Sequence, residues 1–218
     1  PTAANADQPT GVVISGNLVS GYRVSETVGA TGEGFGLVIE GRGHRVVGNT
    51  IFDSDIGLQL QAGNPSLNQQ DTPYFDRGDA SATDAVVSGN AVYSNTIGLR
   101  ALGPVTGTIT ANTVYTNTAV GLQVLDEAAT GLVAARDNQF CDNGLYGMEN
   151  RGASSVDATD NWWGAVDGPG PDGAGNSVSA GVSFVPFQTV SPADGPCALA
   201  SPAPPAGGIY LPIIFRSG

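Results

Sequence analysis

The sequence predicts an all-β chain of stacked coils, a parallel β-helix of about six or seven turns with an extended C-terminal tail. Three observations lead there: a motif that returns about every 22 residues, an asparagine at one fixed place in each copy, and a glycine followed by an apolar residue at another. With 40% apolar residues and little charge among 218, the chain holds enough Val, Ile and Leu to bury a core despite its 32 glycines.

Taken in order, the opening PTAANADQPTGVV offers no amphipathic helix to cap a first coil, and GVVISGNLVS around Asn17 is a faint first copy. The clear copies begin at Asn49, Asn90, Asn112 and Asn138 and read NTIFDSDIGLQL, NAVYSNTIGLRA, NTVYTNTAVGLQV and NQFCDNGLYGMEN. Two residues after each Asn stands an apolar residue (Ile51, Val92, Val114, Phe140), and five after it Ser54, Asn95, Asn117 or Asn143. The pairs Gly57-Leu58, Gly98-Leu99, Gly121-Leu122 and Gly147-Met148 complete the pattern. The intervals 41, 22 and 26 place an insertion of about 20 residues in the first, Ala62 to Thr83, and Asn161 in DATDNWWG marks a last copy.

One coil cannot bury its inner face, whereas coils stacked about 4.8 Å apart share a continuous core. Asn suits the repeated corner because its amide both donates and accepts, so Asn49, Asn90, Asn112, Asn138 and Asn161 are expected to form a stacking ladder. The recurring glycine is expected where a corner demands positive φ.

The net charge of -12, with all eight basic residues Arg, excludes nucleic acid as a partner. No stretch nears the roughly 18 apolar residues of a membrane span, and Pro1 to Gln8 has no signal-peptide character, so any signal peptide is expected to be already removed. Cys141 and Cys197, without CxxC spacing, are read as one disulfide, which suits a secreted protein outside the cell or at its surface.

These columns resemble the parallel β-helix repeat family, whose coils are right-handed and which includes pectate-lyase-like proteins, over about Gly11 to Phe187. The run DATDNWWGAVDGPGPDG resembles that family's closing coil, in which Asn-Trp-Trp-Gly precedes a Gly/Pro-rich loop and a last strand. Trp162 and Trp163 then read as an end plug rather than a sugar platform, and the outward column of Tyr93 and Tyr115 as structural.

The β-helix is thus assigned to residues 1–190, with 62–83 as its inserted loop. Residues 191–208 form a Pro/Ala/Gly-rich linker, and 209–218 hold an apolar docking strand, Ile209, Tyr210, Leu211, Pro212, Ile213, Ile214 and Phe215. Such a run would aggregate if left in water, so something must cover it. It resembles the Tyr-Leu-Pro-aliphatic endings of secreted proteins of filamentous green non-sulfur bacteria. Cys141 falls in the outward column of Phe52, Tyr93 and Tyr115, so a bond to Cys197 would pin the linker's start to the outer wall.

Cleaving an acidic polysaccharide needs a base and cations or calcium near the developing charge. The only dense cluster is EGRGHR, where alternation could turn Glu40, Arg42 and His44 to one face; the competing reading is a solvated face with local ion pairs. Asp71, Asp76, Asp79 and Asp84 could offer oxygens to calcium but match no calcium loop, and a polar surface loop is the simpler reading; no other cofactor is expected. Arg77-Gly78-Asp79 copies a cell-attachment tripeptide of almost no information, and no Asn-x-Ser/Thr sequon occurs.

The expected function is that of an extracellular structural subunit that self-associates head to tail into a filament or fibre, its C-terminal strand docking on a neighbour. The alternative is a secreted carbohydrate-binding or polysaccharide-processing protein of lyase or epimerase type, by analogy of fold, so polysaccharide stays a possible partner. A third reading makes the tail a sorting or anchoring signal of a monomeric module. The thin catalytic inventory weighs against an enzyme.

Overall fold

A computed structural model of the chain describes residues 10–24, 32–61, 82, 84–103, 105–125 and 133–199. Each coil contributes three short strands. The first holds β1 (Val13–Ser15), β2 (Leu18–Tyr22) and β3 (Phe35–Ile39), and the second β4 (Arg45–Val47), β5 (Thr50–Ser54) and β6 (Ile56–Gln61). The third is β7 (Ala85–Ser88), β8 (Ala91–Tyr93) and β9 (Ile97–Leu102), and the fourth β10 (Gly107–Thr110), β11 (Thr113–Tyr115) and β12 (Val120–Val124). The fifth is β13 (Val133–Arg136), β14 (Gln139–Cys141) and β15 (Tyr146–Asn150); β16 (Val156–Asp157) and β17 (Val182–Ser183) close the series.

Equivalent strands stack in parallel into three sheets, of order β1-β4-β7-β10-β13-β16-β17, β2-β5-β8-β11-β14 and β3-β6-β9-β12-β15. The chain is therefore a parallel β-solenoid of six to seven coils, without a helix among the described residues. Like pairs with like across the coils, as the registers Ile51↔Val92, Val114↔Phe140 and Leu58↔Leu99 show. These side chains point inward and are buried, as are Val46, Val87, Ile109 and Ala135 on the first sheet.

The asparagine columns are continuous ladders. Nδ2 of Asn17, Asn49, Asn90, Asn112 and Asn138 donates to Oδ1 of the Asn one coil later, reaching Asn161, at 2.9, 3.0, 2.8, 2.9 and 3.1 Å. The same Oδ1 also accepts the preceding Asn's backbone N–H. A second ladder runs Asn95, Asn117, Asn143, Asn176 at 3.1, 2.9 and 3.0 Å.

The reason for the glycine column differs from the sequence expectation. Gly57, Gly98 and Gly121 are not among the positive-φ residues. A Cβ on Gly98 would instead lie 2.7 Å from the Gly121 carbonyl oxygen and 2.8 Å from Asn117 Nδ2, so close approach of the next coil excludes a side chain. Positive φ belongs to the residue before each ladder Asn: Gly16, Gly48, Gly89, Ala111, Asp137 and Asp160, at 64°, 64°, 62°, 54°, 56° and 60°.

The two ends differ. At the C-terminal end Trp163 stacks on Phe140 at 5.0 Å inside the core, and Phe184 and Phe187 pack over it. Trp162 Nε1 donates to the Cys197 carbonyl at 3.0 Å, beside the Cys141–Cys197 disulfide. At the N-terminal end β1, β2 and β3 are the outermost strands of their sheets.

Candidate functional site

The cluster Glu40, Arg42, His44 does not assemble. Gly41 and Gly43, at φ of 100° and 67°, break the strand alternation between β3 and β4, so the three side chains diverge. His44 is buried: Nδ1 accepts the Val12 N–H at 3.0 Å and Nε2, which must carry the proton, meets the Glu40 carbonyl at 2.8 Å. Both ring nitrogens thus tie the first coil to the second. Arg42 lies on the surface 3.4 Å from Asp84.

Asp84, itself at φ 54°, takes a Thr106 hydroxyl oxygen for its backbone N–H at 2.7 Å. Asp71, Asp76, Asp79 and Arg77 lie outside the described residues, as does Ile209–Phe215. Among the described residues no three His, Cys, Asp or Glu groups converge on a metal-sized point.

Glu40 instead joins a polar row on the outer wall of the third sheet that the motif search missed. One residue past each Gly-apolar pair stand Gln59, Arg100, Gln123 and Glu149, in register across β6, β9, β12 and β15. Glu40 accepts Gln61 Nε2 at 2.9 Å, and Gln59 Nε2 donates to Gln61 Oε1 at 2.6 Å. Arg100 donates from Nη1 and Nη2 to both oxygens of Glu33, at 2.7 and 2.9 Å, and from Nε to Gln123 Oε1 at 3.0 Å. Gln123 passes the chain to Glu149 at 2.8 Å, and Arg151 closes it at 2.9 Å. Arg100 is only 8% exposed and its charge is matched by Glu33. The row therefore locks neighbouring coils together; its guanidinium is already neutralised and its carboxylates already hold donors.

Outer aromatics on the second sheet are equally engaged. Phe52, Tyr93 and Tyr115 stack on one another at 5.1 and 4.9 Å, so the ring faces between them are taken. A sugar ring would need a face. Burial, and then Tyr93, push the Tyr115 phenol above its ordinary value. On the first sheet Arg136 pairs with Asp157 and holds that carboxyl below its usual range.

Among the described residues the first coil is the least covered. Leu18, Val13 and Tyr22 are 72%, 59% and 51% exposed, and the inward residues Ile14, Val19 and Leu37 are only partly buried. Asn17 ends the ladder: it donates to Asn49, while among the described residues no donor reaches its own Oδ1. Among the described residues nothing pairs the outer side of strands β1, β2 and β3, an edge ready to accept another strand. At the opposite end the outermost strands are β14, β15 and two-residue β17, but Trp162 bonds the outer backbone of β14 and Ser177 and Ser179 that of β15, and exposed Val166, Val185 and Val190 are scattered on loops. Among the described residues, strand edges of three or more residues without such a cover lie at the N-terminal end alone. No protein-family model, curated protein or solved structure matches this chain.

Proposed function

We propose that the chain is an extracellular structural subunit that assembles head to tail into a surface filament, each open first coil receiving the C-terminal strand Ile209–Phe215 of a neighbour. The observation that carries this reading is the asymmetry of the ends among the described residues: an exposed apolar coil at one, a plugged and disulfide-pinned coil at the other. A strand is what an open edge accepts, by main-chain pairing plus apolar contacts on alternate residues.

Linker length admits docking on a neighbour as well as on the chain's own first coil. From β14, which carries Cys141, to β2 is four strand spacings, about 19 Å. The eleven residues Ala198 to Gly208, rich in Pro, span about 34 Å when extended as polyproline II, well beyond that gap.

Deleting Ile209–Gly218 tests the reading. Light scattering and electron microscopy are expected to show multimers of the full chain and monomers of the truncated one. Unchanged assembly would overturn the clasp, and a monomeric full chain whose tail protects its own first coil from hydrogen exchange would replace it with docking in cis.

The alternative of a carbohydrate-binding or processing protein rests on analogy of fold alone, since the polar row of the third sheet is already paired within itself. Incubation with pectate and alginate plus calcium, followed by a search for unsaturated products, distinguishes it.

A further inference from the structure

The backbone of the first coil sets which residues can bond in a strand added in parallel, the direction of every described strand pair. In β2 the Asn17 carbonyl accepts Thr50 N–H, and the parallel register Leu18↔Thr50 and Val19↔Ile51 continues that pattern. Asn17 and Val19 therefore spend their backbone groups on the second coil, while those of Leu18 and Ser20 face the open side. The pattern recurs at each step: inward residues bond forward, and outward ones such as Thr50 bond back. On β3 the phase is opposite. The Gly34 carbonyl accepts Ile56 N–H, so Phe35, Leu37 and Ile39 hold the free groups, and of these Leu37 and Ile39 point inward.

Pro212 sets the phase of the incoming strand. It has no N–H, so it belongs among the residues whose backbone faces away from the acceptor edge, and Leu211 and Ile213 among those that bond. In a parallel strand below β2, the bonding residues are the inward ones. Resting on the strand-docking reading above, we infer that Ile209–Phe215 of a neighbouring copy adds parallel to β2. Ile209, Leu211, Ile213 and Phe215 then cover Val19 and the core, and Tyr210, Pro212 and Ile214 lie outside.

Parallel addition to β3 would turn Ile209, Leu211, Ile213 and Phe215 to water, and β1 is only three residues long. The tail is apolar on both faces, which suits β2: inside lies the half-covered Val19, and outside Leu18, the most exposed apolar side chain of the coil. Pro212 has a second consequence. Once docked, its missing N–H lies on the new outer edge and blunts it, so each open coil takes one tail and no more.

The test uses the full chain with single substitutions in the tail. Leu211→Asp and Ile213→Asp are expected to weaken association by at least about tenfold, and Tyr210→Asp and Ile214→Asp by no more than about threefold. The reverse order would overturn the face assignment, even with assembly still tail-dependent; assembly that survives tail deletion would overturn the underlying reading as well. Among the described residues both cysteines are disulfide-bonded, so thiols introduced by Ser20→Cys in one copy and Ile214→Cys in another can be joined by a short bifunctional reagent. Linkage of Val38→Cys to Ile213→Cys, which would face outward on β3, in place of the Ser20→Cys and Ile214→Cys pair would move the site to β3. Pro212→Val, which restores the N–H, is expected to give larger, laterally grown assemblies; unchanged size would overturn the blunting.

Discussion

At single positions, glycine answers two unrelated demands in this chain. Gly48 precedes a ladder Asn at φ 64° with open space around it, and Ala111 holds the equivalent position at φ 54°. The corner therefore tolerates a Cβ at the cost of a left-handed backbone, and Gly48→Ala should lose about 1 kcal/mol. Gly98 has no such freedom, because the next coil's carbonyl and the Asn117 amide occupy the space a methyl would need. Gly98→Ala should lose about 3 kcal/mol, since backbone on two coils must shift. Chemical denaturation of both variants checks the contrast, and equal losses would show that close approach does not fix the column.

At the scale of the element, the ladder explains why one column of Asn can organise a whole solenoid. Asn112 accepts two bonds from Asn90 at Oδ1, and its Nδ2 serves Asn138 and the Val87 and Thr110 carbonyls. Asn112→Ala strands several of these buried groups at about 1–3 kcal/mol each, so a loss of at least about 3 kcal/mol is expected. Asn17→Ala, at the exposed terminus of the same ladder, should cost under about 1 kcal/mol. A ladder of independent corners would show similar losses at both, in the same denaturation measurement. This column was legible in the sequence because identical residues stack on themselves, and so was Cys141 as an outward residue of the aromatic column. The polar row of the third sheet was only half legible. Its column follows each Gly-apolar pair, but alternation alone marks Arg100 as exposed, and its carboxylate partner Glu33 lies 67 residues away outside the repeat. Glu40, Arg42 and His44 misled for the converse reason: the alternation invoked for them fails where two positive-φ glycines interrupt the strand. The expectation that PTAANADQPTGVV supplies no cap falls mostly outside the described residues, and the plugged far end, built from Phe184, Phe187 and the disulfide-pinned segment, needed the three-dimensional arrangement.

At the scale of the whole molecule, a solenoid's stability is a sum over neighbouring coils, so its ends are where it opens. The two ends here are protected by different means, and this separates two experiments. Cys141–Cys197 closes a loop of 56 residues around the last coils, which a chain-entropy estimate makes worth about 4 kcal/mol. Both sulfurs sit with Trp162 in a small cluster against Tyr115, away from the main core. Cys141→Ser with Cys197→Ser should therefore loosen the C-terminal coils first, seen as faster hydrogen exchange over β14 and β15 and a changed Trp162 emission, while the coils of β4 to β9 keep their protection. The open first coil should respond oppositely to the two conditions: indifferent to the disulfide, and protected when a neighbour's tail is bound. Hydrogen exchange on dilute and concentrated protein measures both. If the double variant opens β2 and β3 as readily as β14 and β15, the ends are coupled through the whole stack, and the independence of the docking end from the pinned end is lost.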